Sequence, residues 1–231
     1  MTLFEPSHFD LELLNEIGRW KVIPLKGLYE RASQGMTYSP FCRRIKRIEK
    51  LGLVRSIMGS RGLKYLVLTQ EGSTLAHFKS PYLESDTELT HDLIVSRLLC
   101  DLLEFSNFHT GHIVHMGEGL NPEPDALIHA TKSGTPYRLA LEIELHQKSN
   151  KRVREKFARY VTTSDCDHVL YVMNKPDVFH SYQAITIEMD KKVSQKIVLM
   201  LEPNLGARQV EYQKARCWFK AKEMSFNEIF A

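Results

Sequence analysis

The chain has 231 residues, of which 43% are apolar and 26% charged, with a formal net charge of +3. That composition belongs to a globular protein of one large or two small domains, and a sum of +3 does not by itself identify a polyanion partner. No apolar run approaches the roughly 18 to 20 residues that span a bilayer, and MTLFEPSHFD has no basic region followed by an apolar stretch. A cytoplasmic protein with no membrane partner is therefore expected. Cys42, Cys100, Cys166 and Cys217 are far apart and lack metal-site spacing, which predicts reduced, unligated thiols.

In chain order, FDLELLNEIGRW places Phe9, Leu11, Leu13, Leu14 and Ile17 at helical spacing, and PLKGLYERAS predicts a second short helix with Pro24 in its first turn. TYSPFCRRIKRIEK predicts a third, with Ser39 as N-cap, Pro40 at the first helical position, Phe41, Ile45, Ile48 and Leu51 inward, and Gly52 as the stop. LVRSIMGSRGLKYLVLT then reads as two strands around Gly59-Ser60-Arg61-Gly62, a hairpin, and TQEGSTLAHF as a capped helix. Between Tyr38 and Lys64 stand eight basic residues against the single acid Glu49.

Three helices and a basic hairpin make a winged helix-turn-helix, and KLGLVRSIMGSRGLKYLVLTQEG closely resembles the third-helix-plus-wing segment of that superfamily, over roughly residues 9 to 79. In such modules the third helix enters the major groove while the wing touches the backbone. The expected DNA-binding residues are Tyr38, Ser39, Arg43, Arg44 and Arg47 on the helix and Arg61 and Lys64 on the wing.

A Pro, Ser, Asp and Thr cluster in FKSPYLESDTELTH marks a boundary, giving domains at residues 1–80 and 86–231. Beyond it come the helix ELTHDLIVSRLLCDLLEF, strands GHIVHMG, DALIHA and YRLALEIEL, the helix NKRVREKFARYVTT, and strands HVLYVM and KIVLML. This is an α/β (α+β) order without a Gly-rich phosphate loop. After residue 176 no motif is legible, and ARCWFKAKEMSFNEIFA is expected either to add a strand and a short helix to the sheet or to dock onto a neighbour.

The short turn TKSGTPY makes DALIHA and YRLALEIEL an antiparallel pair. Glu142 and Glu144, two apart, then share a face, and the hairpin brings Asp125 beside them. Three converging carboxylates call for a cation, and hard oxygen ligands suit Mg²⁺ or Mn²⁺. His109, His112 and His115 fall on a strand that scatters them, which disfavours zinc.

Pro124-Asp125 and Glu142-Ile143-Glu144 resemble the PD-(D/E)xK nuclease superfamily, with Glu144 where Lys is usual and Lys148, Lys151 or Lys156 as substitutes. Lys156 and Tyr160, four apart, look like the QxxxY element of the RecB-like branch with Lys for Gln. Together with the winged helix and His91-Asp92-Leu93, the layout is similar to the replication-relaxation family and the MOB-C class of plasmid relaxases, over most of residues 9 to 175.

The resemblance implies a restriction-endonuclease-like mixed sheet flanked by helices and metal-dependent nicking of double-stranded plasmid DNA at a replication or transfer origin. It further implies a relaxosome setting with an accessory protein. The functional residues carried over are His91, Asp125, Glu142, Glu144, Lys156 and Tyr160, with Glu118 secondary. A homodimer would cut both strands and a monomer one. The alternative is a nuclease fold that has lost chemistry and acts as a DNA-binding regulator.

Overall fold

The computed structural model describes residues 6–59, 62–78, 86–205 and 210–231. The chain forms two compact units, residues 1–97 and 98–231, which divide inside a single helix, α5 (Asp86–Leu102).

The first unit runs α1 (His8–Arg19), β1 (Val22–Pro24), α2 (Leu25–Ala32), α3 (Tyr38–Lys50), β2 (Val54–Met58), β3 (Lys64–Leu68) and α4 (Gln70–Leu75). Ser7 and Asp10 close a capping box at the start of α1, whose Leu13, Leu14 and Ile17 are buried. The strands form one antiparallel sheet in the order β1-β3-β2. β1 is too short to show a period in sequence, and it exists because β3 pairs with it from Val22↔Val67 to Pro24↔Tyr65.

The start of α3 corrects the expected cap. Thr37 is the N-cap, without a side-chain hydrogen bond, and Pro40 sits third in the helix rather than first. A proline is tolerated there because the first four helical N–H groups lack intrahelical partners. At the other end Leu51 is the C-cap and Gly52 follows with φ +73°, the left-handed conformation a glycine adopts without strain.

In α4, an added Cβ at Gly72 would lie 1.9 Å from the carbonyl oxygen of Leu53. Gly72→Ala is therefore expected to cost about 2 kcal/mol or more, read as a lower urea midpoint.

The second unit continues with β4 (Phe108–Ile113), β5 (Ala126–Lys132), β6 (Thr135–Glu144), α6 (Asn150–Thr162) and β7 (His168–Met173). It ends with α7 (Pro176–Glu188), α8 (Lys191–Lys196), β8 (Ile197–Leu201), β9 (Arg216–Phe219), β10 (Lys222–Ser225) and α9 (Phe226–Phe230). These strands make a seven-stranded mixed sheet, β10-β9-β8-β7-β6-β5-β4, flanked by helices, which is the expected α/β class. β6, β7 and β8 are parallel and the other pairings antiparallel. Central β7 and β8 are almost entirely buried, as their unbroken apolar runs require.

Ser133 and Gly134, with φ 50° and 79°, turn β5 into β6 and thereby set the register from Lys132↔Thr135 to Ala126↔Leu141. One step further, Asp125 faces Glu142, with the Asp125 N–H donating to the Leu141 carbonyl at 3.0 Å. Glu142 in turn pairs with Tyr171, and Tyr171 with Leu199. Asp125 and Glu142 thus lie in one transverse row of the sheet. That face is covered by Val153, Phe157 and Tyr160 of α6 and by Val178, Phe179, Tyr182 and Ile185 of α7.

Candidate active site

Glu142 is 2% exposed and Glu144 6%, which for carboxylates demands compensation. α6 supplies it for Glu142. Ser149 caps this helix, and the inward stripe Val153, Phe157 and Tyr160 turns Lys156 and Tyr160 toward the sheet. Lys156 Nζ lies 2.6 Å from Glu142 Oε2, and the Tyr160 hydroxyl donates to Glu142 Oε1. Asp125 is partly buried, and its Oδ2 accepts the Ile143 N–H at 2.7 Å, fixing the carboxylate against β6 beside Glu142.

Electrostatics follow from this packing. Burial pushes Glu142 up to about 7. The Lys156 ammonium opposes that shift and the neighbouring Asp125 adds to it. Tyr160 is held far above the ordinary phenol range by burial and by Glu142. It is therefore a protonated hydrogen-bond donor to Glu142 and not a phenolate nucleophile.

Glu144 does not join Asp125 and Glu142. It shares their sheet face, but Lys148 Nζ approaches it at 3.8 Å, and among the described residues no three His, Cys, Asp or Glu side chains group as a metal cage. Asp125 and Glu142 face each other in register, and Glu144 stands two residues further along β6. Mg²⁺ is commonly held by one or two carboxylates with water completing its shell, so this pair of adjacent hard donors fits such an ion.

His91 lies in the first unit, its Nδ1 3.5 Å from Asp92 Oδ1, whereas the acidic row belongs to the second. Glu118 accepts the His115 N–H at 2.8 Å and lies 3.6 Å from His112 Nε2. His109 Nε2 is hydrogen-bonded to Thr131 Oγ1 at 2.8 Å.

On the first unit, Tyr38, Ser39, Arg43 and Arg47 of α3 are exposed, and so are Lys46 and Lys50. Two other residues expected to meet DNA are engaged inside the domain. Arg44 Nε bonds Asp10 Oδ1 at 2.7 Å, with its guanidinium over the Phe9 ring at 4.8 Å. Lys64 Nζ bonds Glu49 Oε2 at 2.9 Å. Both tie secondary elements together. Arg44→Ala would leave the buried Asp10 carboxylate without its cation, an expected loss of about 1 to 3 kcal/mol by denaturant unfolding. Arg61 lies outside the described residues.

The outer face of α6 was not legible as a unit from sequence. Lys151, Arg152 and Arg159 are exposed on the helix whose inner face carries Lys156 and Tyr160. Five basic residues within NKRVREKFARYVT were the available signal, readable only once the inward positions are known.

Among the described residues no helix is long and apolar enough to cross a membrane. No protein-family model matches the chain, and neither does any curated protein sequence. Among solved structures, the restriction endonuclease FokI bound to DNA is similar at 10% identity and a TM-score of 0.29, over 81% of this chain and 41% of that one. FokI in a second structure is similar at 11% identity and a TM-score of 0.27, over 77% and 40%. The chain therefore spans about two fifths of FokI, and at these scores the likeness adds nothing to the argument from side chains.

Proposed function

We propose that the chain is a metal-dependent DNA endonuclease that nicks plasmid DNA, with the first unit choosing the site and the Asp125–Glu142 row performing hydrolysis. The observation that carries this reading is a buried carboxylate, Glu142, set opposite a second acid and held by Lys156 and Tyr160. Burying an acid in this way costs stability, and such costs concentrate where chemistry needs them.

Asp125 and Glu142 would hold Mg²⁺ or Mn²⁺. When bound, such an ion acidifies water and takes up charge developing on a phosphoryl oxygen. The chain's own residues do the rest. The backbone bond from Ile143 orients Asp125, Tyr160 orients Glu142, and Lys156 places a positive charge beside the carboxylates, where a scissile phosphate would need it. Lys151, Arg152 and Arg159 lie outward on the same helix and suit the phosphates flanking the cut. The role in plasmid relaxation, at a replication or transfer origin, rests on the sequence resemblance.

Incubation of supercoiled plasmid with the chain in Mg²⁺ or Mn²⁺ is the test. Open circles that a chelator prevents are expected. Plasmid that shifts on a gel but stays supercoiled supports the second reading, a DNA-binding regulator. What favours that reading is that Lys156 already neutralises Glu142 while Glu144 stands where the nuclease pattern has lysine.

DNA binding itself should depend steeply on salt. Replacing Arg43, Lys46 and Arg47 together with Ala is expected to flatten the slope of log K against log salt by roughly 0.9 for each phosphate no longer neutralised. An unchanged slope would remove α3 from the interface.

A further inference from the structure

Both oxygens of the Glu142 carboxylate are occupied, and by groups of different kinds. Oε1 accepts the Tyr160 hydroxyl, and Oε2 meets Lys156 Nζ at 2.6 Å. Tyr160 is 1% exposed, with its ring edge-on to Tyr171 at 6.3 Å, so packing holds it in place. The Lys156 side chain is 26% exposed, and its flexible stem can carry the ammonium from the carboxylate to solvent. When both acids are ionised, the facing Asp125 and Glu142 carry two negative charges, and the Lys156 ammonium supplies one positive charge against them.

We infer that Lys156 is a resident counter-ion that a divalent cation displaces: when Mg²⁺ or Mn²⁺ binds at Asp125 and Glu142, the ammonium leaves Glu142 Oε2 and turns outward to a DNA phosphate. This exchange presupposes the metal-dependent site proposed above and adds to it an order of events. Charge favours the exchange. A doubly charged ion matches two carboxylates where one ammonium matches half of them, and like charges repel, so ion and ammonium do not share Oε2. Geometry supplies the destination. Arg152 is four residues before Lys156 and Arg159 three after it, so the three are neighbours on the surface of α6, and both arginines are exposed.

The released ammonium turns that pair into a row of three cations, so the metal-loaded chain presents more positive charge to a phosphate backbone than the metal-free chain does. Until the ion arrives, the ion pair compensates Glu142 and withholds Lys156 from DNA. Backbone contact by Lys156 is thereby tied to a site already loaded with metal. Tyr160 meanwhile stays on Oε1 and keeps the carboxylate oriented.

Brief acetylation of the full chain with acetic anhydride, read lysine by lysine by mass spectrometry, tests this, with Lys151 on the same helix as an exposed reference. Without divalent ion Lys156 should react about tenfold more slowly than Lys151, because its partner both shields the amine and keeps it protonated. Saturating Mg²⁺ should speed Lys156 about fivefold and leave Lys151 unchanged. In Glu142→Gln, Lys156 should react quickly with or without Mg²⁺. The wild-type comparison stands even if that variant folds poorly. Calorimetry run alongside separates the two claims. Mg²⁺ that binds while Lys156 stays shielded would overturn the exchange and leave the metal site standing, and absence of Mg²⁺ binding would overturn both.

Discussion

Glu142→Gln is expected to reduce plasmid nicking by about a hundredfold or more, the scale on which loss of a charged group at a reacting centre is felt. It should also change how stability varies with pH. Glu142 is raised in the folded chain from its ordinary 4.5 to about 7, so the folded state holds a proton that the unfolded state releases between those values. Stability therefore falls as pH rises from 4.5 to 7, by about 3 kcal/mol, and is flat in this contribution above and below. In Glu142→Gln that decline disappears. Urea midpoints at pH 5 and pH 8 for both proteins check this, and identical pH profiles would show that Glu142 is ordinary. The same protonation predicts that wild-type nicking at limiting metal rises about tenfold from pH 6 to pH 8.

Lys156→Met should give the largest loss of stability, on the order of 3 kcal/mol at pH 8, because it strips the cation from a carboxylate that is 2% exposed. The cost should shrink at pH 5, where Glu142 takes up a proton instead. Adding Glu142→Gln to Lys156→Met should restore most of the loss, since the pair then carries no uncompensated charge. Denaturant unfolding of the four proteins in this cycle measures the coupling. Additive effects would mean that the 2.6 Å ion pair is incidental.

Much of this was legible because the signals are local. Gly52 ends α3, the hairpin follows, and the Ser133-Gly134 turn lets one count backward along two strands and find Asp125 opposite Glu142. Period two alone puts Glu142 and Glu144 on one face. What could not be read was which partner each long side chain takes. Arg44 looks like a groove residue by helical position, yet Asp10, thirty-four residues away in sequence, claims it. Lys64 is bound to Glu49 in the same way, and Glu144 is approached by Lys148 rather than sharing a site with Asp125 and Glu142. β1 has three residues and no pattern of its own. α7 and α8 carry no motif, and their place is set by the apolar face of β7 and β8 that they cover.

Calorimetric titration with Mn²⁺ at pH 7 and pH 8 tests the pairing of Asp125 and Glu142 most directly. Wild type should bind the ion and release roughly half a proton per ion at pH 7, falling toward zero at pH 8, as Glu142 gives up its proton to become a ligand. Asp125→Asn and Glu142→Gln should bind at least tenfold more weakly, the latter without proton release. Wild type that takes up no Mn²⁺, or binds it with an affinity indifferent to both substitutions, would contradict the account.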